Sequence, residues 1–152
     1  MTTEPKSHPD PAIATARLAP SILVLERAPR LENVLKQTLG DSSRLIRPCR
    51  SSGDLIALAE RMPASVCVLD WSGWPMELLG LLDRLQLAHC GAQPIVIATS
   101  ELDPLEWAAR EAGAMGFFAP PLSENELVSL CGRLLGYQIG PNLNGTATQK
   151  AK

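Results

Sequence analysis

Short apolar runs alternate along the chain with segments whose apolar residues recur every three or four positions. Three of the runs, at residues 22–25, 65–69 and 95–97, are typical of buried strands, and a fourth at residues 115–119 predicts a further strand. A weaker run at residues 44–47 has an arginine at each end, which indicates a strand at the edge of a sheet.

The intervening segments predict five helices, at residues 30–39, 52–62, 75–91, 103–112 and 123–135. Ser52 and Asp103 are the expected N-caps of the second and fourth helices, Pro75 the start of the third, and residues 123–126 a capping box for the fifth. Five strand–helix units in strict alternation predict an α/β fold, a doubly wound, five-stranded parallel sheet with helices on both faces.

The tails differ from this alternating region. Residues 1–20 and 138–152 are rich in proline, glycine and polar residues, so we expect flexible tails around one domain at residues 21–137. The tail after the domain is too short for a helix-turn-helix output domain. Neither a secretory signal nor an apolar run long enough to span a membrane occurs, so the sequence predicts a cytoplasmic protein.

Composition narrows the function further. A net charge of −2 argues against a nucleic-acid-binding surface and against a polybasic membrane anchor. The four cysteines have no C-x-x-C spacing and only two histidines to join them, so we expect reduced, packed thiols and no zinc site. No nucleotide-binding or hydrolase motif occurs, and we expect a protein that is not an enzyme. The cysteines are Cys49, Cys67, Cys90 and Cys131, and the histidines are His8 and His89.

In open parallel sheets, binding sites form beyond the carboxyl ends of the strands. The residues that follow the predicted strands therefore form the candidate site. They are Glu26, Arg27, Asp70, Trp71, Thr99, Ser100 and Pro120.

Four stretches, in order, resemble the receiver domain of bacterial two-component response regulators. They are ILVLERAP, VCVLDWSG, PIVIATS and GAMGFFAPPLSENEL, and the resemblance covers roughly residues 21–135. It implies a flavodoxin-like sheet of strand order 2-1-3-4-5 and a role in signal transduction. It also implies that Asp70 is the phosphoacceptor, Thr99 the switch hydroxyl, and Phe117 the aromatic residue that swings inward on activation. Pro121 matches the family proline whose preceding peptide bond is usually cis.

Two positions depart from the receiver pattern. Arg27 replaces the second acidic residue after the first strand, which in the family binds Mg²⁺, and Pro120 replaces the family lysine. Glu26 and Asp70 are left as candidate ligands, so Mg²⁺ is expected only if the receiver site is still active. A guanidinium also suits a fork-like pairing with a carboxylate, which gives the hypothesis that Arg27 pairs with Asp70.

These departures favour a stand-alone pseudo-receiver that acts, without phosphorylation, as a protein–protein interaction module in signal transduction or regulation. Two alternatives stay open: a single-domain response regulator phosphorylated on Asp70, and a small-ligand sensor that uses the vacated pocket. The partner is expected to be a protein, and a homodimer is a further alternative. The candidate partner-binding residues are Trp71, Trp74 and Trp107. Trp71 and Trp74 would equally well fold down over the pocket, and for Trp107 the sequence favours ordinary packing of its helix against the sheet.

Overall fold

The structure, a computed structural model, describes residues 18–71, 77–119, 121 and 123–136 of the 152. The predicted tails fall mainly outside these residues, as does the predicted helix start at Pro75. Five strands alternate with five α-helices in the described part. They are β1 (Ile22–Leu25), α1 (Leu31–Leu39), β2 (Ile46–Cys49), α2 (Ser52–Arg61), β3 (Val66–Asp70), α3 (Leu78–Leu87), β4 (Gln93–Ile97), α4 (Glu106–Glu111), β5 (Gly116–Phe118) and α5 (Glu124–Leu135).

The strands form one parallel sheet of order β2-β1-β3-β4-β5, which confirms the predicted topology. β1 pairs with β2 on one side and with β3 on the other, and β3 is the middle strand of the sheet. Strand order reverses between β1 and β3, and this is where open sheets of this kind form their sites. β2 is an edge strand with Arg47 exposed, as the flanking arginines predict.

The two faces of the sheet carry separate apolar clusters. One cluster joins β1, β3 and β4 to helices α2, α3 and α4, and the other joins the same strands to α1 and α5. Neighbouring residues of β1, such as Leu23 and Val24, point into opposite clusters. Both faces of these strands are therefore covered, which is why their sequences are continuously apolar rather than alternating.

Cysteines contribute to both clusters as small apolar side chains. Cys49, Cys67 and Cys90 lie in the first cluster and Cys131 in the second, and all four are buried free thiols. Burial raises the pKa of the Cys49 and Cys131 thiols from 9.0 to about 12, and it raises the pKa of Cys67 further. The prediction that Cys67 and Cys131 pack in the core is confirmed.

Two predicted helix starts were wrong, and one is confirmed. The N-cap of α2 is Ser51 rather than Ser52, because its extended backbone lets its side chain accept a hydrogen bond from the Asp54 amide at 3.1 Å. A 3₁₀ turn over Ser100–Leu105 carries the helical backbone past Asp103, so α4 starts only at Glu106. Ser123 caps α5 as expected, accepting from the Glu126 amide at 3.2 Å.

None of the described helices is both long enough and apolar enough to cross a membrane.

Candidate functional site

Asp70 is the last residue of β3, at the carboxyl end of the central part of the sheet. Its residue exposure is only 8%, although it is charged and follows four apolar residues of the same strand. A carboxylate buried to this degree needs a compensating charge or hydrogen-bond donors, because desolvation is costly. Its surroundings therefore decide what the site can do.

Arg30 supplies a positive charge to this carboxylate. One of its guanidinium nitrogens, Nη2, lies 3.9 Å from the Asp70 Oδ2, with the Asp70 side chain 11% exposed and that of Arg30 58% exposed. The distance is too long for a direct hydrogen bond, so the interaction is between charges. It is partly screened by solvent on the arginine side. A cationic side chain therefore lies beside the carboxylate at the end of β3.

Arg30 was not among the site residues that the sequence predicted. It comes four residues after Glu26, and the sequence pattern indicates it only as the start of the first helix. Arg27 is exposed on the same loop. Its pairing with Asp70 stays a hypothesis. Arg30 follows Arg27 by three residues and directly precedes α1, so it lies at the same end of the sheet as Asp70. Its position in the sequence could therefore have indicated a second cation near the site.

Glu26 anchors the start of α1. Its Oε1 accepts a hydrogen bond from the Leu31 amide at 2.7 Å, and its Oε2 accepts one from the Glu32 amide at 2.9 Å. Arg30, at the N-cap position, makes no capping bond with its own side chain, so Glu26 replaces the missing cap from outside the helix. Its negative charge also complements the positive end of the helix dipole. Glu26 thus caps α1 with both of its carboxylate oxygens.

The donor set does not fit Mg²⁺. Both oxygens of Glu26 already accept amide hydrogens, and Asp70 has a guanidinium beside it. Mg²⁺ requires carboxylate oxygens that can turn towards it in octahedral geometry. Over the part of the chain that the structure describes, no group of three or more His, Cys, Asp or Glu side chains is placed to hold a metal ion.

Trp71, directly after Asp70, is completely buried at 0% exposure. Its ring packs edge-on against Phe117, with ring centroids 6.0 Å apart and an interplanar angle of 81°. Of the two alternatives that the sequence left open for Trp71, an exposed contact residue or an indole folded inward, the structure has the inward one. The indole packs in the apolar cluster between the sheet and helices α2, α3 and α4.

Of the other predicted site residues, Phe117 and Thr99 are described by the structure. Phe117 is half-buried on β5 and packs with the cluster that contains Trp71. Thr99 is half-buried directly beyond β4, where its carbonyl accepts from the Leu102 amide at 2.9 Å. Pro120 and Trp74 lie outside the described residues.

Trp107 is the predicted partner-binding residue that the structure leaves accessible. Its exposure is 72%, whereas Ala109, two positions along α4, is buried against the core. Two positions along a helix point in nearly opposite directions, so the indole faces solvent. Leu105 and Met115, before and after this helix, are also exposed. Large exposed apolar side chains that gather into a patch are typical of interaction surfaces, and Trp107 is the most exposed of these three.

Comparison with solved structures gives close matches in fold. FixJ-N matches with a TM-score of 0.66 and 19% identity, covering 81% of this chain and 98% of that one. A CheY-like receiver domain from Methanospirillum hungatei JF-1 matches at 0.64 and 18%, covering 78% and 95%. The NtrX receiver domain from Brucella abortus matches at 0.63 and 22%, covering 76% and 98%. No protein-family model matches the chain, and no curated protein does.

These similarities show the fold. The chain adopts the flavodoxin-like fold of response-regulator receiver domains, as the four sequence stretches predicted. What it shares with those domains beyond the fold has to be argued from its own site.

Proposed function

We propose that this chain is a pseudo-receiver, a protein–protein interaction module in signal transduction whose state does not depend on phosphorylation. The observation that carries the proposal is the positively charged Arg30 side chain beside the Asp70 carboxylate. Arg30 lies 3.9 Å from that carboxylate, in a site whose other acid, Glu26, is committed to a helix end. Transfer of a phosphoryl group needs cations that stabilise charge on the moving group and leave the nucleophile accessible.

The space beside the acceptor supports the same proposal. Trp71 fills the core immediately next to Asp70, and its ring is held by Phe117. A large buried side chain here limits the structural rearrangement by which phosphorylation of Asp70 would change the position of β5. The interaction role rests on the exposed indole of Trp107, since tryptophan is enriched among residues that dominate binding energy.

The competing function is that of a response regulator phosphorylated on Asp70. Incubation with Mg²⁺ and acetyl phosphate, followed by intact-mass analysis, separates the two. We expect no phosphoryl adduct on the wild-type protein, and the Asp70→Asn variant serves as the matched control. An adduct that is present in the wild type and absent from Asp70→Asn contradicts the proposal and establishes the phosphorylated regulator instead.

A further inference from the structure

The charges of this chain are segregated between the two edges of the sheet. Five of its ten arginines fall within residues 27–50, around β1 and β2. Residues 101–126, around α4 and β5, hold six acidic residues and one basic residue. β2 and β5 are the two edge strands, so the basic and the acidic regions lie at opposite ends of the sheet.

The basic end is an exposed row of arginines, Arg44, Arg47 and Arg50, which we call the arginine row. Arg47 lies on β2, and the other two flank the strand. Pro48, exposed on the same strand, has no amide hydrogen to donate to an added strand. A partner at this edge is therefore held by side chains rather than by extension of the sheet.

The acidic end is centred on Trp107, and we call it the tryptophan surface. Glu111 lies one helical turn beyond Trp107 on the same side of α4 and is also exposed. Glu106, the preceding residue, pairs with Arg110 at 2.8 Å, which leaves Glu111 as the carboxylate next to the indole on the solvent side. Met115 adds an exposed apolar side chain after the helix.

Arginine is the residue that fits such a surface. A guanidinium binds the face of an indole, and it also donates two parallel hydrogen bonds to a carboxylate. Lysine makes the first contact less often and cannot make the second in the same geometry. The arginine row of this same chain supplies three guanidinium groups in one exposed stretch.

We infer that the tryptophan surface of one copy of this chain binds the arginine row of a second copy, so that copies associate head to tail. The inference rests on the proposed interaction role and names its partner. Because the two surfaces are different and lie at opposite edges, the contact is heterologous, and each copy in a pair keeps one unused end. Longer assemblies then follow at high concentration.

The first test is the mass of the wild-type protein in solution. Sedimentation at low salt is expected to give a mass that rises with concentration. In about 1 M salt, where the screening length falls to about 3 Å, the protein is expected to become monomeric. A wild-type protein that stays monomeric at low salt up to high concentration overturns the inference.

The second test uses variants that each disable one end. Arg47→Glu/Arg50→Glu removes the arginine row, and Trp107→Ala/Glu111→Arg removes the tryptophan surface. Each variant alone is expected to lose self-association by about tenfold or more in the association constant. An equimolar mixture is expected to form dimers, because each variant still carries the end that the other lacks. This rescue also shows that both variants are folded.

The matched control is Arg61→Glu/Arg84→Glu, which changes the net charge equally at two exposed arginines on α2 and α3. It is expected to associate more tightly than either end variant. If Arg47→Glu/Arg50→Glu associates like the wild type while the Trp107 variant does not, the tryptophan surface pairs with itself and the inference is wrong. Neither that result nor a monomeric wild type bears on the proposal that the protein works without phosphorylation. The acetyl phosphate experiment tests that proposal separately.

Discussion

The indole of Trp71 meets the ring of Phe117 edge-on, at 81° and 6.0 Å between centroids, across the end of the intervening strand β4. Trp71 directly follows Asp70, and Phe117 lies on β5, an edge strand of the sheet. Ala98, just beyond β4, belongs to the same buried cluster. The pair therefore links Asp70 to β5 by packing rather than by charge.

A double-mutant cycle measures this link. Trp71→Leu and Phe117→Leu should each lower the free energy of unfolding in urea by about 2–4 kcal/mol, because each leaves a cavity. Their coupling should be about 0.5–1.5 kcal/mol, as for other edge-to-face pairs. The control cycle pairs Trp71→Leu with Trp107→Leu, whose side chain is exposed, and should give no coupling. Equal couplings in the two cycles would contradict a specific aromatic contact.

Glu26 provides a second test of the site. Glu26→Ala removes the acceptor of two amide hydrogens at the start of α1, so the free energy of unfolding should fall by about 1–2 kcal/mol. The loss should be the same with and without Mg²⁺. Glu60→Ala, at an exposed position near the end of α2, is the matched control and should change stability little. A loss that appears only in the presence of Mg²⁺ would make Glu26 a metal ligand.

Two glycines should respond oppositely to the same substitution. Gly113 has φ = +113°, and an added Cβ would lie 2.7 Å from the side-chain Nε2 of Gln86. Gly113→Ala should therefore destabilise the protein by about 1–3 kcal/mol. Gly80 lies inside α3 with nothing within 4 Å of an added Cβ, so Gly80→Ala should stabilise it by about 0.5–1 kcal/mol. Thermal unfolding of both variants checks the pair, and shifts of the same sign would refute the backbone assignment.

The buried thiols should make stability fall at alkaline pH. The unfolded chain loses each thiol proton near its ordinary pKa of 9.0, whereas burial keeps Cys131 protonated up to about 12. Between these values the folded state binds more protons, so the free energy of unfolding falls as pH rises. Each such thiol contributes about 1.4 kcal/mol per pH unit.

The comparison of wild type with Cys131→Ala isolates one thiol. Denaturant unfolding between pH 9 and 11 should give a shallower fall for the variant, by about 1.4 kcal/mol per pH unit. Equal slopes would mean that the Cys131 thiol ionises as readily in the folded protein as in the unfolded one.

Patterns that recur along the chain were enough to predict the fold. Continuous apolar runs such as residues 66–69 occur where both faces of a strand are covered, and the arginines around β2 mark an edge. These features depend on burial and local spacing, which a sequence carries directly. The helix starts were less certain because Ser51 and Ser52 both offer a hydroxyl, and only the backbone conformation selects one of them.

The site was predicted in its position but not in its contacts. That Asp70, Glu26 and Thr99 lie at one end of the sheet follows from the parallel topology. That Arg30 reaches Asp70, and that Glu26 turns back to the α1 amides, depends on the path of one loop. Trp71 could not be placed from sequence, since an indole beside a site fits both an exposed and a buried position. Its burial depends on the space next to Phe117.

The most direct test of the central claim is a titration of the protein with beryllofluoride and Mg²⁺, followed by ¹⁹F NMR. Beryllofluoride occupies the place of a phosphoryl group on an aspartate, and it needs the same open carboxylate and metal. With Arg30 beside Asp70 and Glu26 bound to α1, we expect no bound signal for the wild type, as for Asp70→Asn. A stoichiometric bound signal in the wild type that is lost in Asp70→Asn would contradict it.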